Sequence, residues 1–186
     1  ALLQFYGLLL IEIGEYEKAL ERLQQGLQGT KKGGFIYIRI ACTAYLGYAH
    51  FHLGDLNKAK YYLEEAVELQ KSIGNTTMSF LWSYYLSLVH LEENELEKVK
   101  SCAQKVTEFA NENNESVGIG ISKLLLGKIK GMEESSNRNS AEKMILKGVE
   151  ILKNHHQKVS YPMGYLFLGE LYADAGQKEQ AVKYLK

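Results

Sequence analysis

The stretch Leu168–Lys186, LGELYADAGQKEQAVKYLK, decides the fold because it joins two helical patterns through a glycine. Apolar residues recur at helical spacing on both sides of Gly176, and a glycine at that place can end the first helix. The same pattern occurs four more times among the 186 residues of the chain. The stretch is therefore one copy of an internal repeat.

Small residues mark two positions in every repeat. The first helix carries its landmark at Gly7, Gly47, Ser87, Gly127 and Gly169. The second helix carries its landmark at Ala19, Ala59, Val99, Ala141 and Ala181. Each series keeps a spacing of 40 residues with one step of 42, as the residue numbers show. A missing side chain lets two helices cross closely, so the spacing predicts ten helices in five antiparallel pairs.

With these residues in view, the chain resembles the tetratricopeptide repeat (TPR) family. The family pattern of Leu-Gly and Tyr in the first helix and Ala in the second is clearest in the last repeat, at Tyr165, Leu168, Gly169, Tyr172, Gly176 and Ala181. The third repeat departs from it, with Ser87 in place of Gly and Val99 in place of Ala. A period near 40 is similar to the longer-helix branch of the family, which includes kinesin light chains, transcription activators of the maltose type and peptide-sensing bacterial regulators. The last repeat is also similar to the C-terminal repeats of large bacterial signalling ATPases or nucleotide cyclases.

The resemblance implies an all-α fold, a right-handed α-α superhelix (TPR solenoid) of five helix-turn-helix repeats. We expect a single domain over residues 1–186, with repeats at approximately 1–32, 33–74, 75–114, 115–158 and 159–186. The sequence starts and stops inside helical patterns, so we expect a fragment of a longer protein.

Composition excludes several classes of function. Lys+Arg and Asp+Glu number 22 each, so the chain lacks the basic excess of a nucleic-acid binder. No apolar run approaches the ~20 residues of a membrane span. The two cysteines, Cys42 and Cys102, form no paired motif, which favours a reducing, cytoplasmic setting.

No motif indicates catalysis, a cofactor or a metal. The adjacent His155 and His156 would point about 100° apart on a helix, which disfavours a shared metal. The repeat-equivalent His50 and His90 are predicted to pack between helices. The glycines of GIGISKLLLGK, from Gly118, are wrongly spaced for a phosphate-binding loop. We therefore predict a protein that is not an enzyme and needs no cofactor.

The resemblance implies a concave groove lined by the first helices of successive repeats. Its predicted partner-binding residues are Gln4, Leu8, Tyr48, Phe51, His52, Tyr84, Leu88, Leu124, Lys128, Leu166 and Glu170. The basic clamp that chaperone-binding TPR domains use for a carboxylate is missing. An aromatic and apolar centre suits an amphipathic helix or an apolar extended segment. The alternative is that Tyr48, Phe51 and Tyr84 pack within or between repeats.

Three functions remain open from the sequence. The leading prediction is a protein-interaction scaffold in a signalling or regulatory protein, binding another protein, a peptide or another domain of its own chain. The second is a peptide-sensing regulatory domain. The third is a structural module that self-associates through apolar ends such as Val182 and Leu185.

Overall fold

The structure, a computed structural model, describes residues 2–30, 34–74, 79–133 and 137–185. These residues form ten α-helices and no strand: α1 (Leu2–Glu12), α2 (Tyr16–Thr30), α3 (Ile36–His52), α4 (Leu56–Ser72), α5 (Ser79–Glu92), α6 (Leu96–Glu112), α7 (Ser116–Glu133), α8 (Arg138–Asn154), α9 (Tyr161–Ala173) and α10 (Lys178–Leu185). The all-α class and the ten predicted helices are confirmed.

Residues with a left-handed backbone separate the two helices of a repeat. Gly54 has a φ of 77° between α3 and α4, and glycine adopts this conformation without a steric penalty. Asn94, with a φ of 57°, occupies the equivalent place between α5 and α6. Asn is one of the few other residues that tolerate this region. After Gly54, the Asp55 carboxylate accepts a hydrogen bond from the Lys58 backbone N–H and caps α4.

The chain divides into two compact units, Ala1–Glu93 and Asn94–Lys186. In unit 1, α1 packs on α2, α2 on α3, α3 on α4 and α4 on α5. In unit 2, α6 packs on α7, α7 on α8, α8 on α9 and α9 on α10. Contact between sequence neighbours is typical of stacked helical hairpins, in which each hairpin buries its apolar face on the next. The organisation as a single domain with the five stated boundaries stays a prediction.

The landmark glycines lie where the two helices of a hairpin cross. A Cβ atom on Gly47 would lie 2.6 Å from Leu63 Cγ and 2.9 Å from the Ala59 carbonyl oxygen. In unit 2, a Cβ atom on Gly127 would lie 2.6 Å from Ile145 Cγ1 and 3.1 Å from the Ala141 carbonyl oxygen. The same crossing therefore occurs in both units, and its backbones approach too closely for a larger residue.

Among the described residues, no helix is both long enough and apolar enough to cross a bilayer.

Candidate functional site

Five rings of unit 1 form a continuous cluster, which we call the ring cluster: Tyr16, Tyr48, Phe51, His52 and Tyr85. Helix α2 supplies the first ring, α3 supplies the next three, and α5 supplies the last. Tyr48 lies three positions before Phe51 and four positions before His52, so the three side chains share one face of α3. The helix packing of unit 1 brings the other two rings to that face.

Tyr48 and Tyr85 are the buried base of the ring cluster. Their rings stack with centroids 4.0 Å apart and planes 10° apart, and their exposed fractions are 6% and 2%. Burial raises the pKa of both phenols well above the usual value, so both are neutral at physiological pH. Stacked and buried aromatic side chains lose their mobility on folding, which makes this base rigid.

His52, Tyr16 and Phe51 form the accessible side of the ring cluster. The imidazole of His52 stacks on Tyr16 at 5.1 Å and meets Tyr48 edge-on at 4.6 Å. His52 is exposed, whereas Tyr16 and Phe51 are half-buried. Removal of water by the surrounding rings lowers the pKa of His52, because charging the ring there costs more than in water.

The lowered pKa of His52 predicts a pH dependence of stability. The unfolded chain binds a proton at the ordinary His pKa of 6.5, whereas folded His52 binds it only at lower pH. The His52 contribution is therefore fully present above the unfolded value and is lost as pH falls through the folded value. We expect an NMR titration of His52 in the folded chain to have a midpoint below 6.5, with His52→Gln used to assign the resonance. A midpoint at or above the ordinary value would contradict this environment.

The charge of one carboxyl group acts on the ring cluster. Burial raises the pKa of Glu12, at the end of α1. Burial is also the main cause of the raised pKa of Tyr45, to about 12, and the charge of Glu12 adds to it. The same charge contributes to the raised pKa of Tyr48 and Tyr85, so the exposed Glu12 side chain acts electrostatically on the ring cluster. The site thus combines apolar ring faces with one acidic group.

The predicted groove residues of unit 1 lie in different environments. Tyr84 and Leu88 are 2% and 3% exposed, so they are core residues. Gln4 and Leu8 are half-buried, and the Gln4 Oε1 atom is buried without a hydrogen bond among the described residues. The packing alternative is therefore favoured for Tyr48 and Tyr84, while Phe51 and His52 keep accessible surface.

Of the four predicted groove residues of unit 2, one is buried, two pair with each other and one keeps accessible surface. Leu124 is fully buried. The Lys128 ammonium forms an ion pair with Glu170 at 2.8 Å and lies 5.7 Å from the centroid of the Phe167 ring. This arrangement links α7 to α9 and leaves the Lys128 side chain only 15% exposed. Leu166, 40% exposed, is the most accessible apolar member of this set.

Sequence reasoning did not assign Tyr16 and Tyr85 to the site. The next two repeats carry leucine, Leu56 and Leu96, at the position of Tyr16. This difference between the repeats could have indicated a separate role for Tyr16. Tyr85 follows Tyr84 directly, and the ring that stacks on Tyr48 is that of Tyr85.

A surface cavity of about 340 Å³ lies elsewhere in unit 1, between α2, α3 and α4. Leu27 and Phe35 line it, together with Arg39 and Glu65. The guanidinium of Arg39 lies 3.3 Å from the Glu65 carboxylate. The positive charge of this cavity is thus already paired, which makes the ring cluster the better candidate for binding.

Sequence comparison identifies repeats in both units. The profile described as Tetratricopeptide repeat matches residues 46–73 and 164–186. The first segment covers most of the α3–α4 hairpin, and the second covers the α9–α10 hairpin. These matches support the tetratricopeptide repeat family. Comparison with curated protein sequences gave no match.

Three solved structures share this fold. The apo form of RapI has a TM-score of 0.78 at 16% identity, covering 94% of this chain and 61% of its own. BtubC (BKLC) from P. vanneervenii has a TM-score of 0.68 at 15% identity, covering 96% of this chain and 73% of its own. Kinesin-light-chain TPR-like repeats from Podosopora anserina have a TM-score of 0.62 at 15% identity, covering 98% and 89%. At these identities the likeness is one of fold, and it is consistent with an α-α superhelix.

Proposed function

We propose that this chain is a protein-interaction module without catalytic activity, and that the ring cluster of unit 1 is its docking site. The observation that carries the proposal is the pairing of a rigid buried base, Tyr48 on Tyr85, with accessible rings at His52 and Phe51. Aromatic residues on a packed base are typical of the few positions that supply most of the energy of an interface. The TPR-like neighbours support a protein partner.

The chemistry of the ring cluster favours one kind of partner. An amphipathic helix could lay its apolar face on Phe51 and His52. The Glu12 charge that acts on the rings favours a basic residue within that helix, because a cation is attracted both to aromatic faces and to an acid. We place this module within a cytoplasmic signalling or regulatory protein, where such a helix can come from another protein or from a further domain of the same one.

Site-specific photo-crosslinking in the native host tests the docking site. A benzophenone amino acid replaces Phe51 in one version of the chain and Tyr61 in the control. Phe51 is half-buried within the ring cluster, whereas Tyr61 is 64% exposed on α4 and lies outside the cluster, so the control carries the same probe away from the proposed site. We expect a discrete adduct from position 51 that is absent from position 61. A short peptide in that adduct would indicate the peptide-sensing alternative.

A second experiment tests whether the adduct at position 51 depends on the other rings of the ring cluster. His52→Ala removes an exposed ring and is expected to reduce the adduct at position 51 about tenfold, as loss of a modest hot spot does. Tyr48→Ala and Tyr84→Ala are unsuitable for this purpose, because both side chains are buried and their truncation would lower stability. Equal adducts from positions 51 and 61, or no effect of His52→Ala, would reject the ring cluster as the docking site.

A further inference from the structure

The cavity of about 340 Å³ between α2, α3 and α4 has two kinds of wall. One wall is apolar and consists of Leu27 on α2, with Phe35 and Ile36 where α3 begins. The other wall carries the Arg39 guanidinium of α3 and the Glu65 carboxylate of α4. Sites for small molecules combine an apolar lining with a few polar groups, and their volumes start at roughly 300 Å³. The cavity therefore has the size and the lining of a small-molecule site.

The ion pair in this cavity is loose. One guanidinium nitrogen of Arg39 lies 3.3 Å from one oxygen of Glu65, whereas a tight charge-assisted hydrogen bond measures roughly 2.7–2.9 Å. Both side chains keep contact with solvent, at 47% and 32% exposed. Because an ion pair this exposed contributes little to stability, a ligand can rearrange it at small cost.

Arg39 and Glu65 also have bonding capacity to spare. A guanidinium carries five N–H donors, and a carboxylate carries two acceptor oxygens. Across the described ranges, the pair uses one nitrogen of Arg39 and one oxygen of Glu65, and neither residue has another side-chain partner. A ligand can therefore accept hydrogen bonds from Arg39 and donate hydrogen bonds to Glu65 at the same time.

The acid–base pair is not what holds a repeat together. The other repeats carry no such pair in the same register, where Glu65 aligns with Gln25, Lys105 and Lys147, and Arg39 aligns with Ser79, Ile119 and Tyr161. In unit 2, α7 packs on α8 as α3 packs on α4, without this pair. The pair is therefore a local feature of the cavity, and a role in the cavity explains it better than a role in the fold.

The paired charge that makes this cavity the weaker candidate for a protein docking site selects among small ligands. A simple anion would be attracted by Arg39 and repelled by the adjacent Glu65, and a simple cation would meet the reverse. A molecule that carries both charges gains from both residues. The α-ammonium and α-carboxylate of a free amino acid place the two charges next to each other, and the apolar wall suits an aliphatic side chain.

We propose that this cavity binds a free aliphatic α-amino acid. The ligand carboxylate accepts hydrogen bonds from the Arg39 guanidinium, and the ligand ammonium donates hydrogen bonds to the Glu65 carboxylate. The ligand side chain lies against Leu27 and Phe35. This inference is independent of the proposed docking function, since no residue of the ring cluster lines the cavity.

Methyl NMR of the 186-residue chain during titration with L-leucine tests the proposal. We expect saturable shifts of the Leu27 and Ile36 methyl signals, because both side chains line the cavity. Leucinamide lacks the carboxylate and 4-methylpentanoate lacks the ammonium, so each should bind about tenfold more weakly than leucine. The absence of saturable shifts at millimolar leucine, or an analogue that binds as tightly as leucine, would overturn the proposal.

Two substitutions test whether the ion pair is what binds leucine. Arg39→Gln and Glu65→Gln each remove one charge from the cavity, and each should weaken leucine binding about tenfold. Lys147→Gln is the matched control, because it removes one charge from the exposed Lys147–Glu150 ion pair of α8 and should leave leucine binding unchanged. Since all three side chains keep contact with solvent, circular dichroism should show the same helicity in every variant. Leucine binding that is unchanged in Arg39→Gln and Glu65→Gln would reject the ion pair as the binding group.

Discussion

Replacing Gly47 by leucine is expected to lower the free energy of unfolding by about 3 kcal/mol, near the upper end for an overpacked site. The atom that a side chain would meet first is Leu63 Cγ at 2.6 Å, followed by the Ala59 carbonyl oxygen at 2.9 Å. A carbonyl oxygen within a helix cannot turn aside as a flexible side chain can. The two helices of the hairpin must therefore separate, which loses packing along α3 and α4. Urea unfolding followed by circular dichroism measures the loss.

Gly29→Ala is the matched control for that substitution. Gly29 lies in the last turn of α2, where a Cβ atom would meet no other atom within 4 Å. Alanine is the better helix former, so this change should stabilise the chain by roughly 0.5–1 kcal/mol. If Gly47→Leu lowers the free energy of unfolding no more than Gly29→Ala does, the close crossing of α3 and α4 is contradicted.

Leu124→Ala is expected to cost about 3 kcal/mol of stability, a value within the range for leucine truncations in a packed core. Leu124 was predicted to face the groove, but its side chain is fully buried. The glycines of two neighbouring helices pack against it, since Cβ atoms on Gly148 and Gly164 would lie 2.8 Å and 2.9 Å from its Cδ2 atom. Truncation would leave a cavity where α7 meets α8 and α9.

Leu166→Ala removes the same atoms from a residue of the same predicted groove. Because Leu166 is 40% exposed, this truncation should cost less than about 1 kcal/mol, as surface substitutions usually do. Urea unfolding of both variants gives the comparison. Equal losses from the two leucines would contradict the burial of Leu124 and would restore it as a groove residue.

The fold was predictable because it depends on residues whose spacing is visible in the sequence. Gly47 and Gly127, with Ala59 and Ala141, mark the crossings, and the structure places them in contact across the hairpins. The turn at Asn94 followed from the register even though asparagine replaces glycine there. The division into two units did not follow from the sequence, because the repeat spacing continues unchanged through residues 93 and 94.

The site was less predictable because a helical residue can face a groove or a neighbouring helix at the same spacing. Tyr84 and Tyr85 illustrate this, since adjacent residues of α5 are both buried and only Tyr85 stacks on Tyr48. Lys128 and Glu170 were predicted as groove members, and the structure pairs them with each other. Such pairing depends on distances between helices, which the repeat period alone does not give.

Methyl-resolved NOE spectroscopy tests most directly the claim that one helix crossing is repeated along the chain. The account predicts cross-peaks from the Gly47 α-protons to the Leu63 methyl groups in unit 1. In unit 2 it predicts the same pattern from the Gly127 α-protons to the methyl groups of Ile145. A folded, helical chain in which either cross-peak is missing would contradict it.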